Sequence, residues 1–178
     1  DSYDRTILGN PTPRYEFGLT LGGDWKGLDF SLFFQGVGKR DVYYSGAGAR
    51  ALSGNYTIYK YQLDYWTEDN PNAKFPILLE DPNGTNPNNM ISSFWVKSGA
   101  YCRLKNLTIS YDLPAIWTNK VGMQKVQVFF SGENLLTFTK LKGMFDPEAI
   151  YTKNDYTSEG GKNYPMNRVV SVGLVVNL

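Results

Sequence analysis

Every second residue is apolar in several separate stretches of this chain, a period that belongs to β-sheet. The last eleven residues read RVVSVGLVVNL. Val170, Val172, Leu174, Val176 and Leu178 fall on one side; Val169, Ser171, Gly173, Val175 and Asn177 fall on the other. Successive side chains of a strand point to opposite faces, so this is a strand with one fully apolar face. YEFGLTLGG puts Tyr15, Phe17, Leu19 and Leu21 against Glu16, Gly18, Thr20 and Gly22. LDFSLFFQG puts Leu28, Phe30, Leu32 and Phe34 against Asp29, Ser31, Phe33 and Gln35. The short DWKG between them reads as a hairpin turn. Alternation returns at Leu107, Ile109, Tyr111 and Leu113, and Pro114 stops that strand. KVQVFFSGEN adds Val126, Val128 and Phe130 against Gln127, Phe129, Ser131 and Glu133. About five strands are expected. Their apolar faces suit either a soluble core or lipid.

The lengths of the connections separate the two. Residues 24–27 and about 114–123 make short ones; about 38–100 and 134–167 make long ones. In an antiparallel series both short turns lie at one end of the sheet and both long loops at the other. Outer-membrane barrels have short periplasmic turns and longer extracellular loops. The opposite faces carry Glu16, Thr20, Asp29, Gln35, Asn106, Thr108, Ser110, Asp112, Gln127, Ser131 and Glu133, as either a wet lumen or the solvent face of a sandwich requires. Trp25, Tyr101, Tyr111 and Trp117 lie near turns or strand ends, where an aromatic girdle belongs; ordinary rim aromatics are the alternative. A structureless loop as long as 38–100 is unusual, so short helical or strand pieces and a functional role are expected there. Five strands do not close a spanning barrel, and open edges are not tolerated in hydrocarbon. Either several copies or further chain must complete the sheet; the start at Asp1, without Met or leader, favours further chain.

Composition excludes much else. The 178 residues are 42% hydrophobic and 20% charged, which argues against general disorder. A net charge of +1 gives no reason to expect nucleic acid. The absence of His removes the commonest general base, the usual His-paired nucleophiles and most zinc sites. Cys102 stands alone, so no internal disulfide forms; it is expected as an inert buried or lumenal thiol. No stretch is long and apolar enough for a spanning helix, which says nothing of a barrel.

The motifs are modest. GVGKR at 36–40 lacks phosphate-loop spacing. EDPNGTNPNN offers oxygen ligands without EF-hand spacing and reads as a turn cluster. Glu68–Asp69, Glu80–Asp81 and Asp146/Glu148 are candidate carboxylate pairs for glycoside hydrolysis, against a default of solvated loop charge. Arg103 and Lys105 fall on the face of Tyr101 and Leu107, at the rim, where a structural role is expected ahead of contact with lipopolysaccharide phosphates or neighbouring loops. Glu133 and Asn134 end an inward face, placed to touch substrate or plug; a turn role for Asn134 is the alternative. Tyr61, Tyr65 and Trp66 are placed either to stack on sugar rings or to anchor the long loop. No metal site and no cofactor are expected.

In order along the chain, ILGNPTPRYEFGL, the hairpin ending in FFQGVGKRD, YWTEDNPNAKFP, SGAYCRLKNLTISYDLP, FFSGENLLTFTK, the DPE at 146–148 and NYPMNRVVSVGLVVNL resemble the C-terminal end of SusC/RagA-type TonB-dependent transporters. The likeness covers nearly the whole chain. It implies a barrel of about 22 strands around an N-terminal plug. It also implies import of oligosaccharides or peptides, a SusD-like surface lipoprotein as lid, and TonB acting on a segment near the N-terminus. One departure is the end at Asn177–Leu178, where such barrels usually finish on an aromatic residue.

The resulting expectation is all-β: an antiparallel transmembrane β-barrel segment. Residues 1–178 would supply about five C-terminal strands and long extracellular loops, with plug and earlier strands absent. The activity is transport across the outer membrane of a Gram-negative bacterium, not catalysis. Tyr65, Trp66, Glu133 and Asn134 are the candidate ligand-binding residues. The partners are a SusD-like lipoprotein, TonB, outer-membrane lipid and an oligosaccharide or peptide; nucleic acid is not among them. The alternative is a secreted carbohydrate-binding β-sandwich.

Overall fold

The computed structural model describes residues 5–44, 51–52, 57–80, 85–141, 145–150 and 164–178. The chain divides into two compact units. One is a single antiparallel sheet of β1 (Tyr15–Trp25), β2 (Leu28–Gly38), β5 (Tyr101–Asp112), β6 (Lys125–Thr139) and β7 (Val169–Asn177), neighbours in that order. The other is built from Asp1–Arg14, Lys39–Ala100 and Lys140–Pro165, and holds two short paired strands, β3 (Asp41–Tyr43) and β4 (Val96–Ser98).

Cross-strand partners share a face. Thr20, Phe33, Asn106, Glu133 and Val169 form one row across the sheet, and Gly22, Ser31, Thr108, Ser131 and Ser171 the next. The opposite face has the rows Leu21, Leu32, Leu107, Gly132, Val170 and Gly23, Phe30, Ile109, Phe130, Val172. This apolar face is open: Leu21 is 47% exposed, Val172 74% and Leu174 60%. A contiguous apolar surface of that extent is not stable against water. It fits hydrocarbon, and the polar rows behind it fit a lumen. A soluble sandwich would bury the same face in its core.

Both short connections lie at one end of the sheet. Lys26 and Gly27 take φ of 50° and 85°, so the first hairpin closes on two left-handed residues, the turn whose twist matches the strands. The second passes through a helical turn, α1 (Ala115–Thr118), continued by the 3-10 turn Asn119–Val121. At that end Asp112 accepts from Gln127 Nε2 at 2.8 Å and pairs with Lys125 at 2.8 Å. The long connections leave the other end, where Val37, Tyr101 and Thr139 are aligned.

Three side chains near that far end lie where the two-residue period does not put them, for one reason. Lys105 is an extra residue between Asn106, opposite Phe33, and Leu104, opposite Phe34. One inserted residue reverses which side chains share a face. Arg103 therefore lies beside Gln35 and Thr137, on the face opposite Leu107, and is only 3% exposed. Its Nε donates to Thr137 Oγ1 at 2.8 Å, so it braces the sheet in the structural role expected of it, from the opposite face, and is not open to lipid phosphates. Cys102 pairs with Gly36 and Phe138 on the apolar face, not the lumenal one. Tyr101 is 8% exposed and does not belong to an exposed girdle; Trp25 and Trp117 do, at 69% and 61%.

β6 also runs past the expected end of its strand. Asn134 adopts φ 53°, and Asn134 with Leu135 stands opposite Lys105 alone. Asn tolerates the left-handed region, so the strand bulges there and continues to Thr139. Gly173 has its own reason to be glycine: a Cβ there would run into the ring of Phe129, which lies across it from β6.

Candidate functional site

The unit containing the long loop has a core of its own. Tyr44, Phe75 and Trp95 are buried together, with Tyr43, Tyr61, Tyr65 and Phe145 packed against them. Tyr44 stacks on Trp95 at 6.0 Å and meets Phe145 at 4.7 Å. Its hydroxyl is hydrogen-bonded to that of Tyr61. Burial, reinforced by that bond, pushes the Tyr44 hydroxyl far above the usual tyrosine range, and burial likewise raises Tyr61. Both are neutral at any physiological pH.

YWTEDNPNAKFP is pinned onto this core at both ends. The Phe75 N–H donates to Asp64 O at 3.0 Å, and the Trp66 N–H to Phe75 O at 2.9 Å. Between them the Asn70 N–H donates to Thr67 O at 3.0 Å, closing the loop. Asp64 accepts from Asn70 Nδ2 at 3.2 Å and pairs with Lys74 at 3.3 Å. Those two partners, Asn70 first, hold its carboxyl below the usual range. A second segment is fixed by Trp95 Nε1, which donates to Asn88 O at 2.8 Å. Asn88 Nδ2 in turn donates to Ile77 O at 3.3 Å.

Between the two segments lies an open cleft of about 490 Å³. Trp66, Phe75, Phe94 and Trp95 supply aromatic surface; Lys74, Asn88 and Ser92 supply polar groups. Trp66 is 40% exposed and Phe94 37%, so both offer ring surface to a ligand. Phe94 meets Trp95 edge-on at 4.8 Å, which fixes its orientation. Lys97 lies over Phe94 at 4.5 Å from the ring centre, and burial lowers its pKa. Such a cleft can hold the C–H face of a sugar or an apolar side chain, with few groups for a strongly charged ligand.

The sequence candidates fall in different places. Trp66 lines the cleft, whereas Tyr65 packs on the core and Tyr61 is an anchor. Glu133 and Asn134 belong to the sheet unit. Glu133 is exposed beside Asn106 and Val169; Asn134 is committed to the bulge, its Nδ2 donating to Asn167 O at 3.0 Å. Phe94 and Trp95 were not singled out in the sequence; they lie nearly thirty residues from Trp66, and only the fold joins them. Among the described residues no cluster of three potential metal ligands occurs. Asp146 accepts from the Glu148 N–H at 2.9 Å within its own turn, as a loop carboxylate does. Glu68 and Asp69 are exposed, and Asp81 lies outside the described residues.

No protein-family model matches the chain. TonB-dependent receptor P3 of Formosa agariphila is 34% identical over 183 aligned positions, covering 96% of this chain. The chain belongs to the TonB-dependent receptors. Receptor P26 of the same organism is 31% identical over 97% of the chain. The chain spans 17% and 18% of the lengths of these two receptors. Among solved structures, the RagAB peptide importer in its closed-closed state superposes with a TM-score of 0.66 at 26% identity, over 96% of the chain and 18% of its own. The open-open state gives 0.63 at 25%, over 97% and 18%. The five-stranded sheet is thus a wall segment of a SusC/RagA-type receptor barrel.

Proposed function

We propose that this receptor segment serves the TonB-dependent import of oligosaccharides or peptides through the outer membrane. It works with a SusD-like lipoprotein and contributes part of the barrel wall and of the substrate vestibule. The observation that carries this reading is the two-faced sheet: an exposed apolar face backed by polar rows, with every long connection at one end. The likeness to the RagAB peptide importer supports the transport class. The plug, the remaining strands and the segment engaged by TonB lie elsewhere in the receptor.

The chain itself does two things in this scheme. Its sheet separates lipid from a wet path, and its aromatic cleft offers Trp66 and Phe94 to a passing or docking ligand. Energy comes through TonB and the plug; no bond of the substrate is broken here. Glu133 lies on the polar face of β6 opposite Asn106, the side on which substrate or plug would pass. The test is growth of a strain lacking the full-length receptor gene on single oligosaccharides or peptide mixtures as sole nutrient. Loss of growth on one class, restored by the intact gene, is expected. Trp66→Ala should restore it only with substrate affinity weakened about tenfold, in line with the loss of one stacking surface. Unimpaired growth of the deletion strain on every source overturns the reading.

A further inference from the structure

The two walls of the aromatic cleft are joined by side chains, not by a β ladder. Residues 76–80 give Pro76 and Ile77 to one wall and run without turn or bend. Among the described residues no backbone–backbone hydrogen bond reaches this strip. Two side chains of the facing segment hold it instead. Asn88 Nδ2 donates to Ile77 O at 3.3 Å, and Asn86 Nδ2 to Leu79 O at 3.5 Å. Of these two residues only Asn88 lines the cleft. Its main chain is committed elsewhere: the carbonyl accepts from Trp95 Nε1 at 2.8 Å, and the N–H donates to Asn86 Oδ1 at 2.9 Å. Asn88 thus links the strip, the buried Trp95 and its own turn.

Only the NH2 end of an amide can face a carbonyl, so the bond to Ile77 also fixes where Oδ1 points. That oxygen has no partner among the described residues, and it is not buried. The Ser92 hydroxyl on the same wall caps no helix and has no partner among them either. Lys74, across the cleft, is already paired with Asp64. We propose that Asn88 sets the orientation of the ligand in this cleft. Its Nδ2 holds the Ile77 wall in place relative to Trp95, and its Oδ1 accepts a hydrogen bond from the ligand. The ligand that fits carries a hydroxyl or N–H donor at the edge of the apolar face laid on Trp66 and Phe94. A wholly apolar ligand would cover Oδ1 without giving it a partner, which selects against it.

This role rests on the reading that the cleft takes substrate, and the test keeps the two apart. The full-length receptor is returned to the deletion strain as wild type, Asn88→Ala, Asn88→Asp and Asn88→Gln. Uptake is measured on the oligosaccharide or peptide source that the deletion strain cannot use. The heat-shifted band of each variant reports its folded amount. None of the substitutions removes the main-chain bonds to Trp95 and Asn86. Asn88→Ala should raise the half-saturating concentration about tenfold and leave the maximum rate unchanged. Asn88→Asp keeps an acceptor but cannot donate to Ile77 O, so it should behave like Asn88→Ala. Asn88→Gln keeps both amide groups and should recover part of the loss. Wild-type half-saturation in Asn88→Ala and Asn88→Asp overturns the role of Asn88 and leaves transport standing. A lower maximum rate at unchanged half-saturation, or loss of the folded band in all three variants, makes Asn88 a merely structural residue and also overturns it. A deletion strain that grows on every source overturns the transport reading, and the role with it.

Discussion

Tyr44 shows how one residue holds the loop unit together. It is 1% exposed, and its hydroxyl has its partner in Tyr61. Tyr44→Phe leaves the Tyr61 oxygen half-buried with one bond fewer, at a cost of about 1–2 kcal/mol. Faster proteolysis within residues 57–80 of the folded receptor is the expected readout. Alkaline pH should act on the same bond. The folded-state pKa of Tyr44 is raised, burial first and Tyr61 second. Its contribution is therefore complete below the unfolded value of about 10 and declines as pH rises beyond it. Proteolysis of 57–80 should increase above about pH 10 in the wild type, and less steeply in Tyr44→Phe. Asp64 works at the other end of the scale. Its lowered pKa, from Asn70 and then Lys74, gives a contribution present above about pH 4 and lost as pH falls. The tyrosine pair is not local: Tyr44 and Tyr61 are seventeen residues apart, and no period in the sequence joins them.

Strands carry their information differently. In β1, β2 and β7 the two-residue period alone assigns each side chain to its face, because the register there is uninterrupted. β5 and β6 break it with one extra residue each, relative to their neighbours. Nothing in YCRLKN announces that Lys105 is the bulge, so the faces of Cys102 and Arg103 read backwards from sequence. Asn134 did carry a signal, since Asn favours left-handed turns; the strand absorbs it as a bulge instead of ending. Charge placement tests the assignment. Leu174→Arg puts a cation on the lipid face and should cost about 2–4 kcal/mol, while Ser171→Arg on the polar face should be tolerated. The folded fraction of each full-length variant, read from its heat-shifted gel band after refolding in urea, checks both. Gly173→Val should fail in a different way, by forcing Phe129 off its site, and pairing it with Phe129→Ala should recover part of the loss.

At the scale of the molecule the decisive feature is that the sheet has two edges. β1 pairs only with β2, and β7 only with β6, among the described strands. An unpaired strand edge leaves a row of N–H and C=O groups that hydrocarbon cannot satisfy, at several kcal/mol per group. A five-stranded sheet with an open apolar face is therefore not a stable object in either water or lipid by itself. It needs the rest of a cylinder, and its relatives supply the size: this 20.1 kDa chain spans 17–18% of their length, so the receptor that contains it should run near ~115 kDa. Closed barrels resist dodecyl sulfate until heated, because every backbone group is paired within the wall. Outer membranes of the source cell, run unboiled and boiled, should show one such band shifting with heat and yielding peptides of this sequence. A 20 kDa band in the soluble fraction that carries the sequence and ignores boiling would mean that the apolar face is covered in water by something else, and the wall would have to be abandoned for a sandwich.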